Sequence, residues 1–255
     1  MGRARWWGLL ALGACSEGRW SVETWGEEYI EEEIPAADFA DGCCVVYDRF
    51  LVVFADIALE DGDGEVVAQH EPDDVFDVHL AGPHAVATLD VPADHYDAVR
   101  MRVAPSASPV GVNTDEAELL DGASVWASGT LSCPDRDPVT FDWRFETDTL
   151  YLCEPEDLTI AANGADSSQL TIHGDHLFYD GLSNPDAEVR GLAIADADAD
   201  GDKDITLDEL ATVGVAGLGY DVGPYADVAD LRAFVTFLTQ TLGHIDGEGH
   251  CQVDL

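Results

Sequence analysis

Two groups of side chains in this 255-residue chain have the types and spacing to hold a metal ion. The first is imidazole. His173-Gly-Asp-His176 sets two histidines three residues apart, and His244 and His250 flank an acidic, glycine-rich stretch that runs into Cys251. Imidazole nitrogens suit zinc and copper, and these four can converge only if the chain end returns to the neighbourhood of residue 173. The second group is carboxylate. The run DADADGDKDITLDEL at 196–210 holds six aspartates and one glutamate around a single glycine, with the chain's only lysine, Lys203, among them. Hard oxygen donors at this density suit calcium. A cage needs its oxygens at fixed offsets whereas an acidic surface does not, so register decides between them.

Bulk charge does not decide it. The chain has 52 acidic against 11 basic residues and a formal net charge of −41. Such a balance repels nucleic-acid phosphates and anionic headgroups, so no nucleic-acid partner is expected. It attracts cations of every kind, and it equally suits a chain kept soluble in salty water by hydrated carboxylates. With 46% hydrophobic residues the chain has enough apolar material for a large core.

The register of the acidic run is specific. An EF-hand loop places oxygens at positions 1, 3, 5, 7, 9 and 12, the last a bidentate glutamate. Counting from Asp198, DADGDKDITLDE puts Asp198, Asp200 and Asp202 at the first three sites, Ile205 at the eighth position and Glu209 at the twelfth. Counting from Asp196 brings Gly201 to the sixth position but sends Leu207 to the twelfth, which loses the bidentate ligand. The segment therefore resembles the EF-hand family over roughly thirty residues. The resemblance implies calcium held by the side chains of Asp198, Asp200, Asp202 and Glu209, the carbonyl of Asp204, and Thr206 directly or through water. Lys203 departs from the pattern where the loop needs a positive φ, which costs about 1 kcal/mol in a residue with a Cβ, and its ammonium is expected to offset part of the cage's charge. With no second loop in the sequence, calcium here is expected to be a structural brace.

The elements that must position these residues change character along the chain. Residues 44–172 carry short Val-, Phe- and Thr-rich runs separated by Gly, Pro or Asp, the pattern of an antiparallel sandwich or barrel, with EDGDGE at 60–65 as a hairpin turn. After 172 the pattern turns helical: 185–196, a helix starting at 205, and an amphipathic stretch 228–245 with Leu231, Phe234, Val235, Leu238 and Leu242 on one stripe. The fold class expected is α+β, an antiparallel β-sandwich-like domain at 42–172 followed by a small helical segment at 173–255 with one EF-hand-like loop.

The first fifteen residues read as an export signal. MGRAR is basic, WWGLLALGA is apolar but too short to span a bilayer, and Cys15 follows a small-residue pair. Leu12-Gly13-Ala14-Cys15 resembles the lipobox of bacterial lipoproteins, which implies cleavage after residue 14, a diacylglycerol on Cys15 and a membrane-anchored protein of the cell envelope. Residues 15–41, acidic with scattered aromatics, read as a tether. Export favours disulfides, and Cys153 with Cys251 and Cys133 with either Cys43 or Cys44 are the expected pairs. Hydrolase, metalloprotease and phosphate-loop motifs are missing, which leaves a binding or structural role as the expectation. Two readings stand: a calcium-stabilised envelope lipoprotein whose β domain is a binding or structural module, or a copper- or zinc-handling protein using the C-terminal histidines.

Overall fold

A computed structural model describes residues 16–247, 249 and 251–253. The chain begins with β1 (Glu17–Trp25) and a short helix α1 (Glu27–Glu31), followed by β2 (Cys44–Glu60), β3 (Val66–His70), β4 (Asp74–Asp77), β5 (His84–Pro92), β6 (Asp94–Tyr96) and β7 (Ala98–Val103). Next come β8 (Val110–Gly111), β9 (Val125–Ser132), β10 (Val139–Phe145), β11 (Thr149–Cys153), β12 (Leu158–Ile160) and β13 (Ala165–Ile172). The remainder carries a 3₁₀ turn at Gly174–Phe178, α2 (Leu192–Ala195), β14 (Asp204–Ile205), α3 (Leu207–Leu210), α4 (Leu231–Leu238), β15 (Gly243–Ile245) and β16 (Cys251–Val253).

Strands dominate, in two main sheets. The smaller has the order β15-β13-β1-β5; the larger runs β14-β10-β9-β2-β7-β11-β16, with β3 and β4 also on β2. The spine of the larger sheet is β2, whose FLVVF run is buried on both sides: Phe50, Val52 and Phe54 enter the main core, while Leu51 and Val53 meet Val75, Leu120 and Trp126 in a second cluster. Two-sided burial is why this stretch reads as continuously apolar rather than alternating. In β10 the VTFDWRF pattern alternates buried and exposed residues along its length, as a strand with one wet face should.

The sandwich-like expectation holds in outline, with three differences. Residues 17–31, expected within a tether, are strand and helix: β1 lies between β13 and β5, and Trp20, Val22 and Thr24 are fully buried. Gly18 and Thr24 on the buried face and Trp25 on the other blurred the apolar–polar alternation that marks a strand. The sheets are mixed, because β1–β13, β4–β8 and β10–β14 are parallel pairs. The helices are shorter than their patterns. The stretch 185–196 is helical only at α2, where the Asp41 carboxylate accepts the N–H groups of Gly191 and Leu192. The stretch 228–245 ends as a helix at Leu238 and reappears as β15, where pairing with β13 replaces helical bonding. Residues after 172 share the main core with the strands, through Leu177, Phe178, Leu231, Phe234 and Leu238 among others.

Disulfides join Cys43 to Cys133 and Cys153 to Cys251, and Cys44 keeps a free thiol. The turn after Glu60 is a hairpin, closed by Asp61 N–H to Glu65 carbonyl at 3.0 Å. Among the described residues no helix is long and apolar enough to cross a membrane.

Candidate metal centre

Three of the four C-terminal histidines converge. Donor atoms of His173, His176 and His244 all lie within 4.8 Å of one another, with ring centroids 4.2 Å apart for His173 and His244, 5.1 Å for His176 and His244, and 5.4 Å for His173 and His176. His250 lies outside the described residues.

Strand register makes the cluster. In the antiparallel pair of β13 and β15, His244 faces Thr171, so His173, two residues further on the same side, is its diagonal neighbour. The 3₁₀ turn that follows returns His176 to the same side after three residues. That turn packs tightly. A Cβ on Gly174 would stand 2.6 Å from Ile30 and 2.9 Å from Tyr47, and the Tyr47 hydroxyl donates to the Gly174 carbonyl at 2.6 Å. Cys251 bonded to Cys153 holds the strand after β15 against the larger sheet.

Neighbouring groups select the imidazole tautomers. His176 Nδ1 lies 3.1 Å from Thr241 Oγ1, whose own proton is donated to the Leu238 carbonyl at 2.8 Å. Thr241 therefore accepts from Nδ1–H, and the lone pair of His176 is left on Nε2. His173 Nε2 lies 3.4 Å from the Gly247 carbonyl and 3.5 Å from Glu27 Oε1, two acceptors that favour the proton on Nε2 and the lone pair on Nδ1. Metal-binding histidines are commonly oriented by a partner on the other nitrogen. Glu27 reaches this position because β1 runs parallel to β13 with Trp25 opposite Thr171, which brings residue 27 level with residue 173. Its φ of 56° is a left-handed conformation, uncommon for a residue with a side chain.

The surroundings of His176 favour its neutral form. Burial, with the His244 and His173 imidazoles beside it, pushes His176 down to about 3. At neutral pH this imidazole is uncharged, the form that binds metal. Glu27 Oε1, 3.5 Å from His173 Nε2, supplies a carboxylate beside the cluster. Three nitrogen donors with Glu27 alongside suit zinc or copper better than an oxygen-seeking ion.

The acidic loop makes the second cluster, with carboxylate oxygens of Asp198, Asp200 and Asp202 within 4.8 Å of one another. Its backbone folds around them. Asp198 accepts the N–H groups of Gly201 at 2.7 Å and Lys203 at 3.1 Å, while Asp200 and Asp202 accept those of Asp202 and Asp204. Glu209 bridges the two ends, accepting from Ala199 N–H at 3.0 Å and from Thr206 N–H and Oγ1 at 2.9 Å each. Those bonds, the Thr206 N–H first, hold its carboxyl below the ordinary range. Thr206 and Glu209 form a capping box that starts α3.

Lys203 has φ 72°, the conformation expected of the sixth loop position. Its ammonium, expected to offset the loop's charge, is engaged by Asp137 at 2.7 Å, a residue outside the run. Asp204 and Ile205 form β14 and pair in parallel with Thr140 and Phe141 of β10, so the loop's short strand is paired with the large sheet. The Ile205 carbonyl accepts the Trp143 indole N–H at 2.7 Å. Unlike the histidine cluster, the loop is largely exposed.

Sequence reasoning missed Thr241, Glu27 and Gly174, none of which carries a local signature of its role. Cys15 and its lipobox lie outside the described residues. No protein-family model matches the chain, and no curated protein matches its sequence. Among solved structures the chain is similar to MbnP from Methylosinus trichosporium, at 11% identity over 84% of this chain and 92% of that one, with a TM-score of 0.38, a likeness too low to carry an argument.

Proposed function

We propose that this is a metal-binding protein of the bacterial cell envelope, anchored by a lipid on Cys15, whose functional ion is a transition metal, zinc or copper, held by His173, His176 and His244. Calcium in the 198–209 loop is its structural brace, held by the side chains of Asp198, Asp200, Asp202 and Glu209, the Asp204 carbonyl and Thr206. One observation carries the first part: three imidazoles, one from β15 and two from the turn that follows β13, two of them buried, lie within reach of one ion. Packing three imidazoles against each other gives no stability that apolar side chains would not give better, whereas an ion bound to all three supplies binding free energy to the fold.

The calcium part rests on the register from Asp198 to Glu209 and on the positive φ at Lys203. The strands serve as scaffold for both sites. Metal analysis of protein purified without added metal, then calorimetry with zinc in excess calcium, tests the reading. The wild type is expected to bind one zinc, and the His173→Ala, His176→Ala double variant none; tight binding that survives in the double variant removes the histidine site. Anchoring is tested separately: Cys15→Ser is expected to leave the detergent phase or remain unprocessed, and unchanged processing and partitioning would remove the lipid.

A further inference from the structure

Between β1 and α1 the backbone reverses at Gly26-Glu27, and Glu27 takes a φ of 56°. A left-handed conformation is costly for a residue with a Cβ, whereas glycine adopts it freely. Space fixes Gly26, because a Cβ there would stand 2.2 Å from the Val78 carbonyl oxygen. At the next position a glycine would suit the backbone better than the glutamate present. Both sides of the turn are anchored. Strand β1 pairs with β13 from Arg19 to Trp25, while in α1 the fully buried Ile30 packs against Gly174 and its carbonyl lies 2.9 Å from His79 Nδ1. The Glu27 side chain, 21% exposed, is thereby held beside the cluster, with Oε1 3.5 Å from His173 Nε2. Backbone strain of this kind gathers at functional sites, where the surrounding structure enforces it.

We propose that Glu27 is the positioning residue of the histidine site, and that its carboxylate gives the site a preference for a divalent over a monovalent ion. The inference rests on the histidine site proposed above. Imidazole ligands bring no negative charge, so an ion bound by them keeps its full charge beside the buried His173 and His176 rings, where an uncompensated charge is costly. A carboxylate on the far nitrogen of His173 orients that ring. Its attraction for the ion grows in proportion to the ion's charge, so zinc(II) gains about twice what copper(I) gains from the same group.

Zinc and copper(I) affinities, each measured by competition with a chromophoric chelator in excess calcium, test the proposal. The parent protein carries Cys44→Ser, so that its free thiol does not compete for copper. Glu27→Gln keeps an acceptor oxygen and removes the charge. It is expected to weaken zinc at least about tenfold, the range usual for partners of metal-bound histidines, and copper(I) by roughly the square root of that factor. Glu27→Gly removes the side chain and relaxes the backbone. Without metal it is expected to melt no lower than the parent, yet to weaken zinc at least about tenfold. Cobalt(II) absorption bands should keep their positions in Glu27→Gln, since the three nitrogen donors are unchanged. Zinc affinities equal to the parent's in both variants, an equal loss for zinc and copper(I), or cobalt bands that move, which would make Glu27 a ligand, would each overturn the proposal while leaving the histidine site standing. So would a metal-free Glu27→Gly that melts lower, because the glutamate would then serve the fold. Failure of the parent to bind zinc would remove the site and this proposal together.

Discussion

The two clusters are built in opposite ways. The acidic loop is contiguous: its carboxylates and the backbone N–H groups that orient them fall within twelve residues, and it leans on the large sheet through Lys203 and its short strand. The histidine cluster is assembled from residues separated by up to 71 positions, set by the β13–β15 register and the turn after β13, and tuned by Thr241 and Glu27 from other elements. A contiguous site can load or empty with small effects elsewhere. An assembled, buried site is tied to the packing around it, so its occupancy and protonation should register in global stability.

The largest difference is expected in metal linkage. A zinc concentration 1,000-fold above the dissociation constant should raise stability by about 4.1 kcal/mol, and the His173→Ala, His176→Ala variant should lose that rise while keeping its response to calcium. Thermal unfolding with each ion added alone checks this. A zinc response that follows the aspartates instead would reverse the assignment of the two sites.

Acid should separate the sites next. Since His176 is pushed down to about 3 in the fold from an ordinary value of 6.5, the unfolded chain binds a proton there that the native chain refuses. Stability contributed by its neutral form is present above about pH 6.5 and falls as the pH drops toward 3, by an amount on the order of a few kcal/mol. Unfolding of the metal-free protein should therefore lose less stability between pH 7 and pH 5 in His176→Gln than in the wild type. Equal slopes would mean that burial does not discharge this imidazole.

The contrast also explains how much could be read in advance. The acidic run was legible as a tight turn of carboxylates because its residues are contiguous: Asp198, Asp200 and Asp202 fall within reach of one another, and Gly201 and Lys203 both take positive φ. The 60–65 hairpin and the Cys153–Cys251 disulfide were legible for similar reasons, turn chemistry in one case and few candidate partners in the other, while the choice of Cys43 over Cys44 for Cys133 stayed open until the structure. The histidines were legible as residue types only. Nothing near His244 states that it faces Thr171, and nothing near Thr241 marks it as the acceptor for His176. β1 was hidden because its buried face includes Gly18 and Thr24 and its other face carries Trp25, so Trp20 and Val22 looked like scattered residues in an acidic tether.

Calcium linkage sharpens the comparison on the loop's side. At calcium about 100-fold above the dissociation constant the gain should be about 2.7 kcal/mol. Glu209→Gln keeps a residue suited to the capping box but loses the bidentate carboxylate, so most of that gain should vanish. Asp208→Asn, which touches only the exposed pair with Arg232, should retain it. Matching responses at equal ionic strength would reduce the loop to an acidic surface. A smaller effect is expected from Lys203→Gly. It relieves a left-handed backbone by about 1 kcal/mol and gives up an ion pair with the fully exposed Asp137 that solvent screens, so the melting temperature should rise slightly, and a fall would show that the lysine contact matters more than its backbone.

The most direct test of the central claim is X-ray absorption at the zinc edge of protein loaded with one zinc in excess calcium. The account predicts a first shell at about 2.0–2.1 Å with the multiple-scattering pattern of three imidazoles, lost in the His173→Ala, His176→Ala variant. A shell made wholly of oxygen, or an unchanged spectrum in that variant, would contradict it.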